Sequence, residues 1–432
     1  MNESNNGLSI TLLKEENENL KKTIQELSIL NEIATAVTAT QSVTEIEDLI
    51  IKKCIKHLMV EEGVIMLLND SDESGSFTTM LRTRNSILDS LPYQLDDQLT
   101  GWMLKNKTVL LINNFAEDKR FNIGNNSLSQ IKSLLCVPMF IKARMIGLIT
   151  LFNKINTSFT EGDKRLLSIC ASQSAQIIEN ARLYEIETVL KKVKKEIELA
   201  AKIQYNLLPK SDLVLNNISI TGKTIPAKDV GGDFYDFIPL PDHKIAVWLG
   251  DISGKGMPAA LLMANLQGVL RSQTIIDSNC KSCLKKANET MVQNSEDDKF
   301  ATLFYAIINT DSNRINYISA GHNTLLYIDK SGAIKNYDSE DLPIGIYPDI
   351  AFKEKTIDMK PGDMLVVYSD GITETENADE ENFQIDRLRE LLSLNIELAP
   401  ADLIEKIFSN VHNFSGKSEQ SDDQTLLIIK LD

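Results

Sequence analysis

The chain is short of the features that would place it outside a reducing interior. Its five cysteines are odd in number and widely spaced, which excludes a disulfide framework and fits reduced thiols. No apolar run reaches the length of a transmembrane helix. The opening Met1-Asn2-Glu3-Ser4 lacks the basic and apolar blocks of a signal peptide, so the expected location is the cytoplasm. Basic residues are in deficit: 45 Lys and Arg face 61 Asp and Glu, for a net charge of −16. Nucleic acid as a main partner would favour a basic face, and an anionic membrane surface would repel this chain. Histidine is scarce as well, at four residues. A metal site here would therefore rely on oxygen ligands rather than the His and Cys set of zinc.

What is present is an ordinary globular composition, 43% hydrophobic and 25% charged, over 432 residues, enough for two or three domains. Residues 1–30 carry Leu13, Leu20, Ile24 and Leu27 among Glu, Lys and Asn, in a coiled-coil-like spacing. A solvated amphipathic helix fits that stretch equally well. Residues 31–182 form a second segment. A helix is expected from Ile33 to Leu58 and strands at 63–68, 77–82 and 108–112. A hairpin is expected from Leu134 to Phe152, and a closing helix from Asp163 to Tyr184. That order predicts an antiparallel sheet with helices on it. Residues 183–210 are a linker. Within it Leu183, Ile186, Leu190, Val193, Ile197 and Ala200 step by 3, 4, 3, 4 and 3, a heptad seam that predicts a parallel homodimer. Such a helix can transmit a shift from one domain to the next, or act as a rigid spacer.

Residues 211–432 alternate strand-like runs with long helical patterns, which predicts an α/β sandwich with sheets inside and helices outside. Strands are expected at 217–222, 234–239, 244–249, 303–309, 314–318, 324–328, 364–368 and 425–431, and helices at 257–275, 280–293, 384–394 and 401–411. The strand Ile245–Leu249 runs into Gly250-Asp251-Ile252-Ser253-Gly254-Lys255-Gly256, which places Asp251 in a Gly-rich turn at the open strand end before a helix with Pro258 in its first turn. Asp233, Asp370 and Asp422 or Asp423 likewise adjoin apolar strands. Taken singly, each is an ordinary turn residue. Gathered together they would repel one another unless cations were present, and Mg²⁺ or Mn²⁺ would suit an all-oxygen set. Two such ions could share a hydroxide and neutralise a phosphate. The pair Cys280 and Cys283 has the CxxC spacing but no second pair, and reads as two small buried side chains on a helix.

Residues 31–182 resemble a GAF domain. The resemblance rests on Leu99-Thr100-Gly101-Trp102 before a helix, Val109–Ile112, Asp118-Lys119-Arg120-Phe121, Ser133–Pro138 and Ile146–Ile149. Within it, Asn153, Lys154, Phe159 and Asp163 resemble a signature of cyclic-nucleotide-binding GAF domains, with Lys164 where that signature has Glu. Two readings stand: a small-molecule ligand site, or a Lys154–Asp163 ion pair that pins the strand end to the closing helix.

Downstream, Leu199–Pro209 resembles the helical lead-in of SpoIIE-type phosphatase domains, where that helix is a regulatory switch. Gly231–Asp236, Gly250–Ala260, Ser319–Asn323, Tyr368–Gly371 and Asp422–Thr425 then follow in order. Together they resemble the SpoIIE/RsbU branch of metal-dependent (PPM, type 2C-like) serine/threonine phosphatases. The Gly231–Phe234 stretch also resembles a diguanylate cyclase signature, but it lacks the Glu, and the acidic turns have no place in that fold. The phosphatase resemblance implies that Asp251 bridges two divalent ions, Mn²⁺ or Mg²⁺. It implies that the Ile252 carbonyl binds one ion, that Asp370 and Asp422 hold the other, and that Asp233 binds or orients coordinated water. Asp423 is the alternative to Asp422. His322 reads either as a general acid or as the anchor of a tight turn, and Lys255 either as a phosphate-attracting or as a solvated cation. The implied substrate is a phosphorylated STAS-domain anti-anti-sigma factor of a partner-switching pathway. The rival classes are an inactive signalling scaffold and a small-molecule receptor with a phosphatase-like partner-binding domain.

Overall fold

The computed structural model describes residues 42–68, 77–84, 97–121, 131–294 and 299–432, with scattered helical positions between 13 and 31. Leu13, Leu20 and Ile24 are helical and exposed, and Leu27 lies outside the described residues. The chain divides into two compact units, Met1–Lys191 and Lys192–Asp432.

In the first unit, helix α1 (Val43–Leu58) starts at a capping box. The Ser42 hydroxyl accepts the Glu45 N–H, and the Glu45 carboxylate accepts the Ser42 N–H. The helix therefore begins at Val43 and not at Ile33; residues 32–41 lie outside the described set. Strands β1 (Val60–Leu68) and β2 (Phe77–Arg84), helix α2 (Asp97–Asn106), and strands β3 (Leu110–Ile112), β4 (Leu134–Ile141) and β5 (Arg144–Lys154) follow. The strands form one antiparallel sheet in the order β2-β1-β5-β4-β3. The Leu99–Trp102 stretch is inside α2 rather than before a helix. Alternate residues of β5 go to opposite faces, as strand geometry demands. Ile149 and Leu151 meet Ile50, Ile51 and Cys54 of α1, while Leu148 and Phe152 join Leu99 and Met103 of α2.

The expected closing helix and linker are one helix, α3 (Glu161–Leu207), of 47 residues. Its first half buries Leu167, Cys170, Ala171 and Ile178. Further along, the seam residues Leu183, Ile186, Leu190 and Val193 are all exposed.

The second unit contains two antiparallel sheets packed face to face. One has the order β14-β11-β10-β9-β8 and is built from β8 (Phe234–Leu240), β9 (Lys244–Ile252), β10 (Ala301–Asn309), β11 (Arg314–Ala320) and β14 (Lys355–Asp358). The other has the order β13-β12-β15-β16-β7-β6. It comprises β6 (Leu213–Leu215), β7 (Ile218–Ile225), β12 (Leu325–Ile328), β13 (Ile334–Tyr337), β15 (Met364–Tyr368) and β16 (Gln424–Leu431). Both faces of β9 are covered, which is why its sequence is a continuous apolar run. Ile245, Val247 and Leu249 face the other sheet, against Leu365, Val367, Leu427 and Ile429. Ala246 and Trp248 face helices α4 (Met257–Ile276) and α5 (Cys280–Asn294). On the far side, helices α7 (Gln384–Leu394) and α8 (Pro400–Ser415) cover the second sheet, and the short α6 (Asp370–Thr373) follows the end of β15 and packs beside β16.

Cys280 and Cys283 are buried, and burial raises both thiol pKa values, so they are packing residues. Among the described residues, no helix is long and apolar enough to cross a membrane.

Candidate active site

The candidate site lies in the second unit, where strand ends of the two sheets meet. Asp251 is the penultimate residue of β9, opposite Thr302 of β10 in the ladder, so it belongs to the strand and not to the turn after it. Asp233 immediately precedes β8, and Asp370 opens α6 directly after β15 and Ser369. Asp422 and Asp423 precede β16. The sandwich thus delivers five carboxylates from distant parts of the chain to one corner.

Their electrostatics show that they converge. Burial first, then the charges of Asp370, Asp422 and Asp423, push the Asp251 carboxyl up to about 7. Burial and the charge of Asp251 lift Asp233 well above the usual carboxylate range, although the hydroxyls of Ser369 and Thr425 work the other way. Burial and Asp422 raise Asp370. Asp233 is 5% exposed; its Oδ2 accepts the Thr425 hydroxyl at 2.6 Å and its Oδ1 has no hydrogen-bond partner. An unpartnered oxygen at that depth is costly without a positive group beside it.

Asp422 and Asp423 differ. Asp423 accepts backbone N–H groups from Ala227 (2.8 Å), Gly232 (2.7 Å) and Asp233 (3.3 Å). It holds the loop that carries Asp233. The half-exposed Asp422 accepts the Asp423 N–H at 2.8 Å and pairs through Oδ2 with Lys255 Nζ at 3.0 Å. Lys255 also donates to the Ser421 carbonyl, so this cation is held against the acidic cluster. Two glycines are required by close approach. A Cβ on Gly371 would lie 2.1 Å from the Asp423 carbonyl oxygen, and one on Gly232 would lie 2.8 Å from the Ile252 carbonyl oxygen.

His322 is buried, with Nδ1 at 2.9 Å from the Thr302 hydroxyl. Burial lowers its pKa to about 4, so the ring is neutral at neutral pH and is not poised as a proton donor there. Instead it braces Thr302, the residue across the ladder from Asp251.

Several contributors are not apparent from the motifs. Glu374 ends α6, and partial burial together with Asp370 and Asp422 raises its pKa. Gln204, near the end of α3, clamps the Gly231 backbone on both sides: its Nε2 donates to the Gly231 carbonyl (2.6 Å) and its Oε1 accepts the Gly231 N–H (3.1 Å). Gln267 of α4 donates to the Leu207 carbonyl (2.6 Å) and to the buried Asp236 (3.2 Å), which also receives Arg271. A cavity of about 490 Å³ opens beside these contacts, lined by Lys202, Gln204, Tyr205, Thr224, Asp229 and Asp233. A polar side chain three residues from a helix end carries no visible signal of such a clamp.

The residues in the first unit are engaged with one another. Lys154 Nζ pairs with Asp163 Oδ1 at 2.8 Å and lies over the ring of Phe159. Asn153, in the left-handed region at φ 56, accepts the Lys132 N–H (2.8 Å) and donates to Glu61 (2.8 Å).

Among the described residues, no three His, Cys, Asp or Glu side chains stand close enough together to hold a metal ion as they are placed. The donor set nevertheless fits hard divalent ions: it is all oxygen, mutually repelling, and includes the unpartnered buried Asp233 Oδ1.

This sandwich with its carboxylate corner has the fold of PP2C-type phosphatase domains, and it follows a segment similar to GAF domains. Residues 241–432 match the family Stage II sporulation protein E (SpoIIE), and residues 40–179 match the GAF domain family. The chain is similar to Phosphoserine phosphatase RsbU of Bacillus subtilis (strain 168), 29% identical over 245 residues, 56% of this chain and 72% of RsbU. It is also similar to Phosphoserine phosphatase RsbP of Bacillus subtilis (strain 168), 25% identical over 240 residues. That match covers 55% of this chain and 58% of RsbP, less than two thirds of the latter. Among solved structures, the SiaA-PP2C domain of Pseudomonas aeruginosa shares the fold with a TM-score of 0.51 at 18% identity, over 56% of this chain and 99% of that chain.

Proposed function

We propose that this protein is a signal-regulated phosphoprotein phosphatase that depends on divalent metal ions and hydrolyses phosphoserine or phosphothreonine. Its proposed substrate is a STAS-domain anti-anti-sigma factor of a partner-switching pathway. The observation that carries the reading is the raised pKa of the Asp233, Asp251 and Asp370 carboxyls, each through burial first and a neighbouring carboxylate second, in one all-oxygen corner. Asp233, Asp251, the Ile252 carbonyl, Asp370 and Asp422 would hold two ions, Mn²⁺ or Mg²⁺. Such ions supply Lewis acidity, activating water and neutralising phosphate charge. The chain itself orients the carboxylates: Thr425 fixes Asp233, Asp423 fixes the loop beneath it, and the neutral His322 braces Thr302 behind Asp251. Lys255, at the cluster's rim, is placed to draw in an anionic group.

Regulation in this proposal starts at a small-molecule ligand of the GAF domain and travels along α3. The Gln204–Gly231 clamp supports that route, because it ties the helix to the loop that bears Asp233. The exposed heptad seam supports a homodimer formed through the same helix. A cytoplasmic location accords with the reduced, buried thiols. The test is phosphate release from a phosphoserine STAS protein with Mn²⁺, Mg²⁺ or EDTA. Turnover that survives EDTA, or that persists in Asp251→Asn and Asp370→Asn, would remove the reading.

A further inference from the structure

We propose that an apolar ledge beside the carboxylate corner, formed by Phe300, Leu342, Ile346 and Tyr347, is where the phosphoprotein substrate docks, through an apolar shoulder next to its phosphorylated residue. The inference rests on the phosphatase reading and adds a recognition surface to it. Phe300, Leu342, Ile346 and Tyr347 are 37%, 50%, 43% and 57% exposed, and the 341–347 segment comes close to Phe300: a Cβ on Gly345 would lie 3.3 Å from the Phe300 Cα.

Backbone hydrogen bonds make the ledge continuous with the catalytic corner. The Ser253 N–H donates to the Phe300 carbonyl, and the Phe300 N–H donates to the Ser253 hydroxyl. Ala301 and Ile344 exchange both of their backbone hydrogen bonds at 2.9 Å. Segment 341–347 therefore lies one strand spacing from the residues that lead into Thr302, opposite Asp251.

The ledge is also held rigid. Asn288 of α5, itself 1% exposed, donates to the carbonyls of Tyr347 (2.8 Å) and Pro348 (3.0 Å) and accepts the Gly345 N–H (2.9 Å). A buried amide is thus devoted to fixing a segment whose large apolar side chains stand in water. Preorganising a contact surface in this way lowers the entropy lost on binding.

Charge indicates what sort of partner fits. In a chain of net charge −16, lysines collect around the adjoining turn. Lys299 Nζ lies 3.6 Å from where a Cβ on Gly254 would be, Lys228 lies 3.8 Å from the same point on Gly256, and Lys255 sits between those glycines. An apolar shelf next to lysines at the rim of the corner suits a phosphate carried on an apolar protein surface, and not a free phosphate ester.

The test is the full-length double variant Ile346→Glu, Tyr347→Glu. Hydrolysis of para-nitrophenyl phosphate with Mn²⁺ should stay within about twofold of wild type. On a phosphoserine STAS protein, kcat/KM should fall at least tenfold, mainly through KM. In an Asp251→Asn background, binding of the same phosphoprotein measured by biolayer interferometry should weaken by a similar factor. Unchanged phosphoprotein kinetics and binding would overturn the docking surface. Equal losses on both substrates would overturn it too, by making the ledge part of the catalytic frame. Failure of the phosphatase reading is seen separately, as absent para-nitrophenyl phosphate turnover in the wild-type chain, and the binding comparison still decides the ledge in that case.

Discussion

At the scale of single residues, Asp422 and Asp423 are adjacent in sequence and serve different ends. Asp423→Ala would leave three backbone N–H groups of the 227–233 loop without their acceptor. Each buried unpaired group costs about 1–3 kcal/mol, so this variant should melt well below wild type. Asp422→Ala gives up a half-exposed pair with Lys255, worth roughly 0–1 kcal/mol, and a single N–H bond from Asp423, so it should melt closer to wild type than Asp423→Ala while losing turnover. Thermal melts of the two variants check the contrast. Asp251 adds a pH signature in metal-free protein. Its folded pKa is raised to about 7, so between the ordinary carboxylate range and about 7 the folded state binds more protons than the unfolded state. Stability therefore falls as pH rises through that window. Melts from pH 5 to 8 should drop more steeply for wild type than for Asp251→Asn; parallel curves would contradict the assignment. The candidate acids Asp233, Asp251 and Asp370 are legible in the sequence because each adjoins an apolar strand. The division between Asp422 and Asp423 is not, because it depends on the 227–233 loop folding back from far upstream. His322 is a similar case: its short Ala-Gly-His-Asn turn permits either an acid or an anchor, and only the burial of the ring separates them.

Among the elements, α3 links the two units in sequence and carries a run of exposed apolar side chains from Leu183 to Tyr205. Leu190→Asp with Val193→Asp should convert a dimer to a monomer at micromolar concentration in light scattering. A wild-type chain that is already monomeric there would count against the seam. Gln204→Ala frees the Gly231 backbone from the helix and should lower kcat severalfold, with a lower melting temperature because the buried Gly231 N–H and C=O lose their partner. The sandwich strands with strong apolar runs, such as β9, β15 and β16, are plain in the sequence because both their faces are buried. The three- and four-residue strands β6, β13 and β14 are not, since they lie at or near sheet edges and too few residues are present to show a period. Helix α1 is another instance: apolar spacing alone extends it upstream, and the Ser42 capping box stops it at Val43.

On the scale of the whole molecule, a GAF-like unit and a unit with the PP2C fold share a single long helix, and the second unit is a four-layer sandwich whose strand ends gather acids at one corner. The fold explains why such a corner can exist at all. Two sheets buried on both faces are stiff enough to hold mutually repelling carboxylates together, and the repulsion is what makes the corner receptive to cations. The measurement that tests this most directly is metal binding and turnover on the full chain. Phosphate release from a phosphoserine STAS protein is followed with Mn²⁺ and with EDTA, in wild type and in Asp251→Asn. The account predicts Mn²⁺-dependent release that EDTA abolishes and Asp251→Asn reduces at least a thousandfold, a loss of about 4 kcal/mol in transition-state stabilisation. Release that is indifferent to EDTA, or an Asp251→Asn chain that turns over like wild type, would contradict it.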